Sequence, residues 1–457
     1  MRVSARIAVA GISMVLLLAG CSVNIYEAGS GEGGGGGDGG VAEEENTGTV
    51  SISGANIGAE ADAIQAVIDE YVNPNADFTA TYTGSDSFEQ NVIIQIEGGT
   101  PPDVATFPQP GTVIEQAEQG NAIALEDMGF DIGALEEQYG SYLMSLGEYE
   151  GKHYGHPQDV NFKSAIWYNT KAFDAAGYEI PETWDELIAL SDQIVADGKN
   201  PWCIGTGSEA ATGWPATDWM EDIVLRQEGT EVYDGWVDHS VLFDSPEITA
   251  AGERFGTILF TPDYVFGGPG NISGTDFRDA PDPMFQDDPP CYLHRQATFI
   301  TNFFPEGLTP VEDYDFFPFP PIEGNEGALF GGSIAVVFSN RPEVKEFLEL
   351  YNADDAQCSL GDNEDIALLS ANINVGGDCY VNPLLAQAAD VLTTALAEDT
   401  ARFDGSDLMP PAVGSGEFWN GMNNYTNNGP DNLQEVLSAI DAAWPESSGG
   451  GDEASSE

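Results

Sequence analysis

The chain has 457 residues, with 13 Lys and Arg against 77 Asp and Glu for a formal net charge of −64, and its 42% hydrophobic content is enough for folded cores. So acidic a surface repels phosphate backbones and anionic headgroups, which require clustered cations, and nucleic-acid recognition is thereby excluded. At roughly 100–200 residues per domain, the length predicts two or three domains or one large bilobed unit.

Arg2 and Arg6 precede an apolar run from Ile7 to Ala19, broken by Gly11 and Ser13. That run is shorter than the ~20 residues needed to span a bilayer, so residues 1–20 read as a signal peptide. It ends at Leu18-Ala19-Gly20-Cys21, resembling a lipobox in which cleavage leaves Cys21 as a lipidated N-terminus. An ordinary secretory signal with an incidental Cys is the competing reading. Residues 21–48 are Gly-rich and predict a flexible tether, and residues 446–457 predict a disordered acidic tail.

Val50 to Gly54 alternates as a strand, and Ala59 to Val72 places Ala63, Ile64, Val67, Ile68 and Tyr71 on one helical face. Phe78 to Tyr82 alternates again. Ser87 and Gln90 predict a capping box opening a helix that Gly98-Gly99 closes, and Val104 to Phe107 predicts a third strand. Thr183 and Glu186 repeat the capping box before Leu187, Ile188, Leu190, Ile194 and Val195, with Gly198 at the stop. Strands alternating with helices predict α/β layers with largely parallel sheets. Ligands of such sheets gather beyond the carboxyl ends of strands. Three stretches occupy such ends: Ser53 to Asn56, Thr83 to Phe88, and Phe107 to Gly111.

Apart from Cys21 there are four cysteines, an even number that predicts two disulfides in an oxidising compartment, with three possible connectivities. Pairing Cys203 with Cys291 and Cys358 with Cys379 is favoured because it keeps the second loop short. No C-x-x-C pair suggests zinc, and His153, His156, His239 and His294 lack metal-ligand spacing, so neither metal nor cofactor is expected. The chain also lacks G-x-S-x-G, G-x-x-x-x-G-K-[ST] and H-E-x-x-H, so no catalytic residue is assigned. A carbohydrate-active enzyme built on a pair of carboxylates stays as the alternative from another class.

Thr100-Pro101-Pro102-Asp103-Val104, the run Gly151 to Pro157, Trp167-Tyr168-Asn169 and Gly177 to Leu187 resemble carbohydrate-binding proteins of ABC importers. Ala297 to Pro305, Pro318 to Pro321, Gly331 to Ser339 and Glu417-Phe418-Trp419 follow in the order of that family's later landmarks. Trp202-Cys203 and Cys291 to Arg295 are similar to the alpha-glucoside (maltose- and trehalose-type) subgroup. The resemblance implies a two-lobed, type II periplasmic-binding-protein-like α/β fold, with mixed sheets flanked by helices and lobes joined by hinge crossovers. It places the first lobe at 49–160 plus 307–358 and the second at 161–306 plus 359–445. It also implies a monomer, lipid-anchored to the outer face of a bacterial cell membrane, that delivers a neutral sugar to ABC permease subunits. A polyamine or peptide is the rival ligand.

By the same resemblance, Trp419, Phe304 and Phe107 fall where the family places ligand-facing aromatics, which suits the apolar C–H faces of pyranose rings. Asp86, Gln109, Asp159, Asn161, Arg295 and Ser333 are the polar candidates, since carboxylates accept strong hydrogen bonds from sugar hydroxyls. Phe303-Phe304 departs from the Gly-x-Trp usual in the family. Asp103 is expected to order its strand rather than touch ligand, and Trp167, Trp214 and Trp219 are expected to pack or to sit at the hinge.

Overall fold

Strand alternation sets the first layer. Val50 and Ile52 point inward while Thr49 and Ser51 face out, forming β1 (Thr49–Gly54), and the same pattern forms β2 (Thr79–Gly84). The computed structural model describes residues 48–362 and 367–445; the signal peptide, Cys21, the Gly-rich tether and the acidic tail fall outside these residues. The chain continues through β3 (Val104–Phe107), a small hairpin of β4 (Glu148–Tyr149) and β5 (Lys152–His153), then β6 (His156–Phe162) and β7 (Ala165–Asn169). Next come β8 (Asn200–Trp202), β9 (Cys291–Arg295), β10 (Tyr314–Pro318), β11 (Ala328–Val337), β12 (Leu369–Ser370) and β13 (Ala401–Phe403).

Two sheets carry the fold. The first runs in the order β12-β6-β11-β3-β1-β2, with β13 beside β11, and the second runs β10-β7-β9-β8. The expectation of largely parallel sheets holds for β1, β2 and β3 but not beyond them. β11 returns antiparallel between β3 and β6, and β7 pairs antiparallel with both β9 and β10. These are long-range pairings, and local alternation of strand and helix carries no information about them. All ten residues of β11 are buried, as a central strand requires.

Sheet membership also departs from the lobe boundaries implied by the resemblance. Tyr314–Pro318, expected with the first lobe, pairs in the second sheet, while Leu369–Ser370 and Ala401–Phe403, expected with the second, pair in the first. The chain crosses between the sheets at Lys163-Ser164, after β6, and again between β10 and β11.

The two capping boxes differ in outcome. Glu186 N–H donates to Thr183 Oγ1 (3.3 Å) at the start of helix Trp184–Ala196, and the Glu186 carboxylate accepts from Glu182 N–H (2.8 Å). Ser87 instead precedes helix Phe88–Glu97 without any cap from its side chain; its N–H donates to Ser85 Oγ (3.2 Å). Asp103 orders its strand as expected, accepting from Ser51 N–H (2.8 Å) and pairing with Arg341 (2.6 Å).

Cys203–Cys291 joins the end of β8 to the first residue of β9, with Cα atoms 5.5 Å apart, and Cys358–Cys379 closes a loop that contains β12 (5.1 Å). Chain entropy gives stabilisations of about 4–5 and about 3 kcal/mol for loops of these lengths.

Candidate ligand cleft

Loops leaving the carboxyl ends of β1, β2 and β3 supply Asn56, Asp86 and Gln109 to a cavity of about 190 Å³. Just beyond β1, the first turn of helix Ala59–Val67 adds Glu60. β6 and β11 add Asp159 and Asn161, which lie in register with Ser333 and Gly331. The neighbouring Gly332 allows the close approach of these strands, because a Cβ there would meet the Asp159 carbonyl at 2.1 Å.

The facing wall is aromatic. Trp214 opens helix Trp214–Glu228, and Phe277, Phe299, Phe303 and Trp419 join it around the cavity. The Trp419 backbone runs against Gly213, which sits at φ +119 and where a Cβ would strike the Trp419 carbonyl at 2.3 Å. Trp419 Nε1–H donates to Ser406 Oγ (3.2 Å), leaving its ring as lining.

Glu60, which is buried, and Asp159, which is half-buried, have no ion-pair partner among the described residues. Glu60 accepts from Asn302 Nδ2 (2.9 Å) and Asn56 Nδ2 (3.3 Å), and burial together with the nearby Asp159 charge raises its pKa to about 7. Asp159 is raised to about 6 by burial, against hydrogen bonds from Ser333. Both prefer a donor-rich neighbour to an empty apolar one.

Beneath the cavity the acids are paired. Lys163 binds Asp218 (3.1 Å) and Asp404, and Arg295 grips Asp218 (2.9 Å) and Asp222 (2.5 Å). Arg226 adds a bond to Asp222 (2.5 Å) and donates to Phe319 O (3.0 Å) and Gly327 O (2.5 Å) on the β10–β11 crossing. Ser164, on the other crossing, donates to Asp222 (2.6 Å). Burial pushes Asp404 up most, but the Lys163 ammonium and the hydrogen bonds from Lys163, Asp218 and the Asp407 N–H together outweigh it and hold the group below its ordinary value. Burial and the Asp404 charge hold Glu221 and Asp407 well above theirs. Asp218, Glu221 and Asp404 are close enough to hold a metal ion, but the Lys163 ammonium is already paired with two of them.

Of the sequence candidates, Trp419, Asp86, Gln109, Asp159, Asn161 and Ser333 meet at this cavity. Three do not line it. Phe107 is wholly buried behind β3 against Phe88 (5.3 Å), because it is the last strand residue and points into the core. Phe304 packs edge-on against Trp167 (5.8 Å) and Tyr314 (5.1 Å), and its neighbour Phe303 faces the cavity instead. Arg295 is committed to Asp218 and Asp222 below the floor. Trp167 and Trp219 are core residues, whereas Trp214, expected to pack, lines the cavity. Glu60, Arg278, Phe277 and Phe299 were missed; only the position of Glu60 just after β1 offered a signal.

Comparison with known proteins agrees with this architecture. The family model for bacterial extracellular solute-binding proteins matches residues 55–357. The alpha-glucosides-binding periplasmic protein AglE of Rhizobium meliloti is 38% identical over 79% of this chain and 80% of its own. The osmoprotective compounds-binding protein GgtB of Synechocystis is 35% identical over 87% and 92%. Among solved structures, the bacterial solute receptor AcbH superposes with a TM-score of 0.71 at 17% identity, covering 86% of this chain and 97% of that one. With its two sheets, two chain crossings and the cleft between them, this chain belongs to the bacterial extracellular solute-binding proteins, binding proteins rather than enzymes, and has their two-lobed type II fold.

Proposed function

We propose that this chain captures a neutral sugar, an alpha-glucoside or a related short glycoside, by closing its cleft, and delivers it to the permease subunits of an ABC importer. One observation carries the reading: four aromatic faces (Trp214, Phe299, Phe303, Trp419) oppose a wall of acceptors (Glu60, Asp159, Asn161, Gln109) across one cavity. Rings stack on the apolar face of a pyranose while carboxylates and amides take its hydroxyls. The AglE relative is named for alpha-glucosides, which supports the same class. Closure swings the first sheet and its flanking helices against the second about the two crossings and the third passage of the chain, after β13, to the helices that pack on the second side. The working protein is a monomer, exported by residues 1–20 and tethered through a lipid on Cys21. Among the described residues no helix is long and apolar enough to cross a membrane.

An osmoprotective solute is the second reading, favoured by the name of the GgtB relative and by the net charge of −64, which suits saline surroundings. A thermal-shift panel of maltose, trehalose, glycine betaine, putrescine and a tripeptide separates these classes. Ligand at 100 times its Kd raises stability by ~2.7 kcal/mol. A shift with putrescine or the tripeptide and none with either disaccharide overturns the sugar assignment.

A further inference from the structure

Arg278 has a place in the cleft that the wall of acceptors does not explain. It lies in the segment before β9 that is bridged to the exit of β8, where Gly207 pairs with Asp276. Its Nη2 donates to Asp86 Oδ1 (2.6 Å) in the loop beyond β2, so this ion pair spans the cleft from the second sheet's side to the first. The guanidinium lies over the rings of Phe277 (4.9 Å) and Phe303 (5.7 Å), which fix its plane. Its backbone N–H is fixed as well, donating to Asp276 Oδ1 (2.9 Å). Nη1 lies 3.6 Å from Asp276, whereas Arg278 Nε is shielded from solvent in a residue that lines the cavity and has no hydrogen-bond partner in the protein.

A buried donor without a partner is costly unless something else accepts from it. Across the cavity, Asn161 Oδ1 is an acceptor in the same condition. A hydroxylated solute supplies an acceptor to one and a donor to the other. A second contact across the cleft, Asn302 Nδ2 to Glu60 Oε1 (2.9 Å), lies alongside and is neutral on one side.

We propose that Arg278 is the latch of the cleft: its Nη2 edge draws the two sides together through Asp86, and its Nε edge donates to an acceptor oxygen of the captured solute. The proposal rests on the solute-binding reading of the cavity but not on which solute enters. One planar group with donors on two edges thus couples occupancy to closure, which the point charge of a lysine cannot do. Asp86 is partly exposed, so the Nη2 contact weakens with salt while the Nε contact, shielded from water, does not.

The test uses the full chain and the variants D86N, R278K and R278A, with far-UV circular dichroism to verify folding. Small-angle scattering without ligand reads the latch, and titration calorimetry with maltose and trehalose reads the Nε contact. D86N and R278A should give a larger radius of gyration than wild type, whereas R278K, which keeps its charge opposite Asp86, should not. R278K and R278A should bind the responding disaccharide at least tenfold more weakly, and D86N only a few-fold. Scattering curves of D86N and R278A that superimpose on wild type overturn the latch. Wild-type affinity in R278K overturns the Nε contact. If wild type binds neither disaccharide, the sugar reading fails, and the scattering arm still decides the latch. D86N, at the rim, is the variant least able to disturb folding.

Discussion

Two carboxylate-rich regions lie within one side chain's reach of each other and do opposite work. Below the cavity floor, Asp218, Asp222, Asp404 and Asp407 share Lys163, Arg226 and Arg295. In the wall above, Glu60 and Asp159 have amide and hydroxyl donors only. Where cations are resident, the acids are saturated and tie the two chain crossings together. Where they are not, the acids keep acceptor capacity for something that enters. Asp407 belongs to both regions, lining the cavity while lying 3.9 Å from Lys163.

The sharpest way to break this contrast is Arg295→Met. It strands Asp218 and Asp222 without their main cation and should cost ~3–5 kcal/mol, read by denaturant unfolding, as removal of one partner of a buried ion pair does. A loss below 1 kcal/mol would place the lower region in the same class as the wall. Next, Trp419→Ala should weaken binding of the responding sugar by ~2 kcal/mol, about 30-fold, as the loss of a central aromatic anchor does. Calorimetry checks it. Glu60→Gln keeps the shape but loses the charge, and should weaken binding roughly tenfold, or about 1.5 kcal/mol, while leaving the denaturation midpoint nearly unchanged at about pH 4, where the wild-type carboxyl is neutral. A large drop in stability instead would make Glu60 structural.

The smallest effect is on pH. Glu60's folded pKa of about 7 lies above its ordinary 4.5, so its contribution to stability is complete below pH 4.5 and is lost as pH rises through 7. His156 and His294, lowered by burial to about 4, run the other way: their contribution is complete above pH 6.5 and is lost as pH falls through 4. Between pH 6.5 and 8 only the acid side changes. Wild type should lose about 1 kcal/mol relative to E60Q across that window. Parallel melting profiles for the two proteins would refute the shift.

Much of this was legible in the sequence because it is local. The alternation of Val50 and Ile52, the Thr183–Glu186 cap and the strand-end position of Gln109 and Asp86 each depend on neighbours a few residues away. What failed depended on distance or on a single rotation. Phe304 and Phe303 differ by one residue in a 3-10 turn, Thr298–Phe303, that sends adjacent rings to different sides. Arg295 looks like any cleft arginine until Asp218 and Asp222, more than seventy residues earlier, are brought beneath it. Arg278 sits in an irregular segment with no periodicity to mark which way it faces. The return of β11 between β3 and β6 leaves no trace in its own alternation, because every residue in it is buried.

The two disulfides have a mechanical consequence. Cys203–Cys291 fastens neighbouring strands of the second sheet, and Cys358–Cys379 encloses a strand of the first. Neither staple runs from one sheet to the other. Each therefore stiffens its own jaw, and neither adds a covalent tie across the cleft.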